Sequence, residues 1–168
     1  MDELKGDRVV LRPLGADDVP VLVEIQSQPS VARSWGRPDE AALRRQAAGE
    51  SEETSFAITV DGAVAGLIQY VEENDPMYRH AGIDIFLSEA FQGLGLGADA
   101  VRTLARHLVH ERGHHRLTID PAADNAPAIR AYEKVGFRRV GVMRQYERPP
   151  GGDWHDGLLM DLLADEIR

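Results

Sequence analysis

The chain has 168 residues and a mass of 18.5 kDa, with 43% hydrophobic and 28% charged residues. This fits one domain spanning 1–168, which can bury roughly 70% of its unfolded surface without cross-links. It has no cysteine and a formal charge of −9, which excludes disulfide scaffolds, cysteine-ligated metal sites and cysteine nucleophiles, and disfavours nucleic acid and anionic membranes as partners.

The elements follow in chain order. Arg8 to Arg12 alternates like a first strand, and Asp17-Asp18 open an amphipathic helix through Val19, Leu22, Val23 and Ile25. Pro29 to Pro38 reads as a loop, and Asp39 to Ala48 as a second short helix. Two strands, Ser55 to Val60 and Ala63 to Val71, flank Asp61-Gly62, a strong hairpin signal. Glu72 to His80 is a polar loop and Ala81 to Leu87 a further strand. The clearest helix runs from Gly95 to Arg112, with apolar residues at 101, 104, 105, 108 and 109 on one face. A strand at Arg116 to Ile119 precedes a helix from Asn125 to Val135, with Asp124 or Asn125 as cap, Pro127 in its first turn and Gly136 closing it. Phe137 to Met143 and Leu158 to Leu163 are the last strands. A hairpin followed by strand–helix alternation predicts an α/β domain with a mixed sheet. No apolar run approaches the roughly 20 residues of a membrane span, and the acidic start is unlike a signal peptide, so a cytoplasmic location is expected.

Gln92-Gly93-Leu94-Gly95-Leu96-Gly97 lies between a strand and the longest helix. Glycines there let backbone N–H groups approach a ligand, and the helix N-terminus favours negative charge, which makes the segment a candidate phosphate cradle. A nucleotide P-loop is excluded, because Ala98-Asp99 stands where Lys and Ser/Thr are needed. A dinucleotide-binding fingerprint fits Gly95, Gly97, Ala100 and Asp120 in spacing. It fails in context, because Ser88 to Leu94 separate the strand from the glycines and only one helix and two strands follow Asp120. His107, His110, His114 and His115 crowd one region, but a helix end is a natural place for solvated imidazoles, and no metal is expected.

The second informative stretch is Asn125-x-x-Ala128-x-x-x-Tyr132-x-Lys134-x-Gly136-Phe137. With Gln92-x-x-Gly95-x-Gly97, and with one strand between them, it resembles the GNAT superfamily of N-acetyltransferases over roughly residues 8 to 163. The resemblance implies a GNAT-like acyl-CoA fold, with a mostly antiparallel sheet of about seven strands and about four helices, and acetyl-CoA as cosubstrate. It implies that the strand carrying Ile85, Phe86 and Leu87 offers backbone groups to the pantetheine arm. Backbone amides of Gln92, Gly93, Leu94, Gly95, Leu96, Gly97 and Ala98 would hold the pyrophosphate, and Asn125 and Ala128 would adjoin the CoA arm. Tyr132 would protonate the departing thiolate; its residue-level alternative is a core aromatic beside Ile129 and Val135.

Acetyl transfer needs a neutral amine, and hence a proton acceptor. Glu72, Glu73, Asp75 and Asp84 are the candidate acids, and Asp84 interrupts an apolar strand, where a carboxylate is costly unless solvated or paired. Pairing with Arg79 or plain solvation would also explain it. Tyr70-x-Glu72-Glu73-x-Asp75-Pro76, Gly82-Ile83-Asp84, Asp120-Pro121 and Trp35-Gly36 look like the aminoglycoside 6′-N-acetyltransferase branch. By that likeness Asp84 would deprotonate or anchor the 6′ amine. Glu72, Glu73, Asp75 and Asp120 would bind other ammonium groups of the cationic small molecule, with Trp35 beside the sugar. Tyr78-Arg79-His80 is a departure, and Gly152-x-Trp154-x-Asp156-Gly157 resembles enzymes acting on protein N-termini. Protein N-termini, polyamines and a hydroxylated lysine remain alternative acceptors, a CoA-binding module with a degenerate site is the non-enzyme alternative, and monomer and homodimer both remain open.

Overall fold

A computed structural model describes residues 2–168. The eight strands are β1 (Leu4–Lys5), β2 (Val10–Pro13), β3 (Thr54–Val60), β4 (Ala63–Glu73), β5 (His80–Leu87), β6 (Arg116–Ile119), β7 (Arg138–Glu147) and β8 (His155–Leu163). They form one sheet in the order β1-β2-β3-β4-β5-β6-β8-β7, in which β5 and β6 run parallel and the other neighbours antiparallel. Five α-helices cover it: α1 (Val19–Gln26), α2 (Pro29–Trp35), α3 (Glu40–Ala47), α4 (Leu96–His110) and α5 (Ala126–Val135).

Alternation along the strands divides the core in two. Ile68, Tyr70, Ala81, Ile83, Leu117 and Ile119 pack with α4 and α5, whereas Ala57, Leu67 and Phe86 pack with α1 to α3. The β3–β4 hairpin turns at Asp61 and Gly62, both at positive φ (49° and 81°), as an Asp-Gly turn requires.

The sheet has one strand more than the sequence predicts, because β1 is two residues long and too short to alternate. The segment read as a loop at 29–38 is in part the helix α2. Pro29 opens it after an extended Gln28, Val31 is buried beneath it, and Gly36 ends it at φ 75°. Proline at the first turn and glycine just past the end mark a helix even where its apolar stripe is one residue wide.

Candidate active site

β5 and β6 pair only from Ala81↔Leu117 to Ile83↔Ile119 and then separate. Beyond that point β5 keeps its ladder with β4 as far as Gly66↔Leu87, so the backbone edge of Asp84 to Leu87 that faces β6 has no strand partner. An extended ligand can add to such an edge. The side chain of Phe86 packs edge-on against Trp35, with ring centroids 5.0 Å apart, so this residue offers only backbone to the split.

The glycine loop closes one end of the split. Among the described residues, no backbone carbonyl accepts from the amides of Gly93 to Ala98, which are free for an anion. Gly95 caps α4 at φ 78°, a conformation that a side chain would strain. The Gln92 amide donates to Ser30 Oγ (3.1 Å) and the Leu87 carbonyl (2.9 Å), so its side chain ties the loop to its surroundings. Leu94 is exposed, while Leu96 and Ala98 anchor the helix start in the core. Asn125 caps α5, its Oδ1 accepting from Ala128 N–H at 3.3 Å, and Ala128 packs on the core.

A cleft of about 540 Å³ lies at the mouth of the split, and Asp84, Asp120, Asn125, Tyr132, Trp35, Tyr146 and Glu147 are among its lining residues. Solvent reaches Asp84 through the cleft, yet protein surrounds it elsewhere. That crowding, then the charges of Asp120, Glu147 and Glu53, push its carboxyl up to about 6, partly offset by a hydrogen bond from its cross-strand partner Gln69. Arg79 donates instead to the carbonyls of Arg112 and Gly113, both at 2.8 Å, so the alternative of an Asp84–Arg79 pair is not realised. Burial also raises Asp120, opposed by the Tyr146 hydroxyl, which donates to Asp120 Oδ2 at 2.7 Å. Glu147 is raised by its own desolvation and by Asp120.

Tyr132 is buried, 8% exposed, with its ring against Phe137. Desolvation, Asp84 and Asp120 lift its hydroxyl above the ordinary phenol value, so it stays neutral as a hydrogen-bond donor. The core-aromatic alternative for Tyr132 is met, since its ring packs in the core, and the residue also lines the cleft.

Three of the expected acids lie outside the cleft. Glu72 is in phase with Ile68 and Tyr70, on the α4 side of β4, and is taken by Arg112 (2.6 Å) and the buried His114 (2.5 Å). Glu73 shares the face of Asp84 but pairs with His80, four residues down β5, and its carboxylate accepts the Asp75 N–H. Asp75 is exposed and accepts from Met77 N–H. The acidic wall therefore consists of Asp84 and Asp120, joined by Glu147, which the sequence reading missed along with Tyr146. Both lie on the part of β7 beyond Met143, past Gln145 at φ 47°. The reading had no signal for them except their acidity and aromaticity. Among the described residues, no group of three or more His, Cys, Asp or Glu is placed to hold a metal.

The model of the acetyltransferase (GNAT) domain matches residues 8–138. The chain belongs to the GNAT acetyltransferase family. It is 32% identical over 164 residues to the aminoglycoside N(6′)-acetyltransferase type 1 of Klebsiella pneumoniae, covering 86% of this chain and 81% of that protein. It is 30% identical over 141 residues to the spermidine N(1)-acetyltransferase of Escherichia coli strain K12, covering 80% and 75%. A solved aminoglycoside acetyltransferase, AAC(6′)-Ib in complex with paromomycin and acetyl-CoA, superposes with a TM-score of 0.78 at 26% identity, covering 95% of this chain and 96% of that one. The chain thus has a GNAT acetyltransferase fold, and no helix among the described residues is long and apolar enough to cross a membrane.

Proposed function

We propose that this acetyltransferase transfers acetyl from acetyl-CoA to a primary amine of a compact polycation, with the 6′-amine of an aminoglycoside as first choice. The observation that carries the reading is the wall of three carboxylates, Asp84, Asp120 and Glu147, in a cleft of about 540 Å³ beside the strand split. Acids crowded in one cleft raise one another's cost of ionisation, and ammonium groups relieve it.

Bound acetyl-CoA supplies a thioester carbonyl. The free amides of Gly93 to Ala98 would hold its pyrophosphate, and the open edge of Asp84 to Leu87 its pantetheine arm. Asp84, poised at about 6, is ionised at neutral pH and basic enough to take the proton from the attacking amine. Tyr132, held neutral, donates a hydrogen bond to the departing sulfur. Full proton transfer from a phenol above its ordinary value to a thiolate whose thiol titrates near about 8.5 is uphill, so hydrogen bonding is its contribution. Asp120 and Glu147 hold further ammonium groups, Tyr146 orients Asp120, and Trp35 provides an apolar wall.

The second reading is polyamine acetylation, favoured by the 30% identity to a spermidine acetyltransferase. An acetyl-CoA assay with a kanamycin-type aminoglycoside, spermidine and an N-terminal peptide tests both. Turnover of the aminoglycoside above the others supports the first choice, turnover of spermidine alone selects the second, and turnover of the peptide alone contradicts both.

A further inference from the structure

A CoA pyrophosphate carries negative charge, and the glycine loop that would hold it, residues 92–98, contains no cationic residue. The loop's polar side chain, Gln92, is committed to Ser30 and the Leu87 carbonyl. The first turn of α4 even carries an acid, Asp99, only 5% exposed. Its two carboxylate oxygens accept the backbone N–H groups of Asp7 (3.0 Å), Arg8 (2.8 Å) and Val9 (3.0 Å), so the turn between β1 and β2 is fastened to the start of α4. These bonds place Arg8 over the loop. Its guanidinium donates to the Leu94 carbonyl, and a Cβ built on Gly95 would lie 2.8 Å from Arg8 Nη2. A segment about ninety residues away in sequence thus brings a cation to the edge of the anion cradle.

We infer that Arg8 binds a phosphate of CoA and that Asp99 is its positioning residue. The inference rests on the CoA reading above. The exposed guanidinium can leave the Leu94 carbonyl for a phosphate oxygen, and a planar donor of fixed charge suits that partner. The Asp99 carboxylate, turned away from the cradle and satisfied by three amides, orders the backbone of Arg8 without occupying the anion's place.

The test is calorimetric binding of CoA, 3′-dephospho-CoA and pantetheine to the full chain, wild type and Arg8→Gln. The variant should bind CoA roughly tenfold more weakly, the lower end of what a hydrogen bond to a charged group contributes. Pantetheine affinity should be unchanged, and the salt dependence of CoA binding should be shallower. If 3′-dephospho-CoA loses affinity as CoA does, the partner is the pyrophosphate; if only CoA loses it, the partner is the 3′-phosphate. Asp99→Asn, checked for native unfolding cooperativity, should weaken CoA while sparing pantetheine, with Asp99→Glu recovering part of the loss. A CoA Kd in folded Arg8→Gln within twofold of wild type overturns the inference alone, as does an equal loss for pantetheine. Failure of the wild type to bind CoA overturns the functional reading as well.

Discussion

Two carboxylates on adjacent strands, Glu72 on β4 and Asp84 on β5, meet opposite environments. Glu72 faces the α4 side, where Arg112 and His114 hold its pKa below the ordinary glutamate value despite its partial burial. Asp84 faces the α2 side, where its charged neighbours are other acids and its carboxyl rises to about 6. One acid has its cations built in and serves the fold. The other is set among acids with no cation of the described residues in an ion pair with it, and under the proposed function the substrate supplies that cation. The direction of the shift, more than the burial itself, distinguishes the two acids, and under the proposed function it marks Asp84 as the working one.

The comparison breaks most sharply at Tyr132, which lines the same cleft as Asp84 although its ring packs in the α4–α5 core. Tyr132→Phe keeps the ring in the core and removes only the hydroxyl, so loss of its hydrogen bond to the departing sulfur should lower kcat roughly 10²-fold with CoA affinity little changed. Unaltered turnover would reduce Tyr132 to packing. On the other side, Glu72→Gln should destabilise the fold by about 1–3 kcal/mol, because it strips a charge partner from the fully buried His114 side chain. Its kcat should stay within a fewfold of wild type, as denaturant titration and steady-state kinetics would show. Loss of turnover without loss of stability would return Glu72 to the site.

Smaller effects sharpen the picture. Glu147→Gln should raise KM severalfold for a polycation more than it lowers kcat, because an ammonium contact exists before and during attack. The effect should shrink with added salt, as the screening length falls to about 8 Å at physiological ionic strength. An equal KM change for a singly charged amine would contradict this. A further effect is on stability. The folded Asp84 carboxyl sits at about 6 against an ordinary 3.8, so the native state binds the extra proton and stability falls as pH rises through that window. Asp84→Asn should therefore raise Tm relative to wild type at pH 7, with the difference vanishing near pH 4. A lower Tm at pH 7 would mean that the ionised form is stabilised by a partner.

Legibility in the sequence followed how local each feature is. The glycine loop and the Asn125–Phe137 helix each lie in one segment, and their geometry follows from caps and glycines that the sequence displays. Asp84 was visible as a polar residue in an apolar strand. Glu72 was grouped with Asp84 among the candidate acids although alternation separates them: it is in phase with Ile68 and Tyr70, whereas Asp84 lies opposite Gln69. Tyr146 and Glu147 enter the cleft through a register shift between Met143 and Glu147, and strand periodicity cannot anticipate such a shift. Arg8 meets the loop through tertiary hydrogen bonds alone, its backbone held by Asp99 and its guanidinium donating to the Leu94 carbonyl.

The central claim is that the Asp84 carboxylate is the proton acceptor for an ammonium substrate, and the pH dependence of kcat/KM for a polycationic acceptor tests it most directly. For the wild type the account predicts a limb that rises with pH through about 6, because the carboxylate must be ionised to accept the proton. In Asp84→Asn that limb should vanish, and kcat should drop by about 10²-fold or more at pH 7. A retained limb with wild-type turnover in Asp84→Asn would contradict the account.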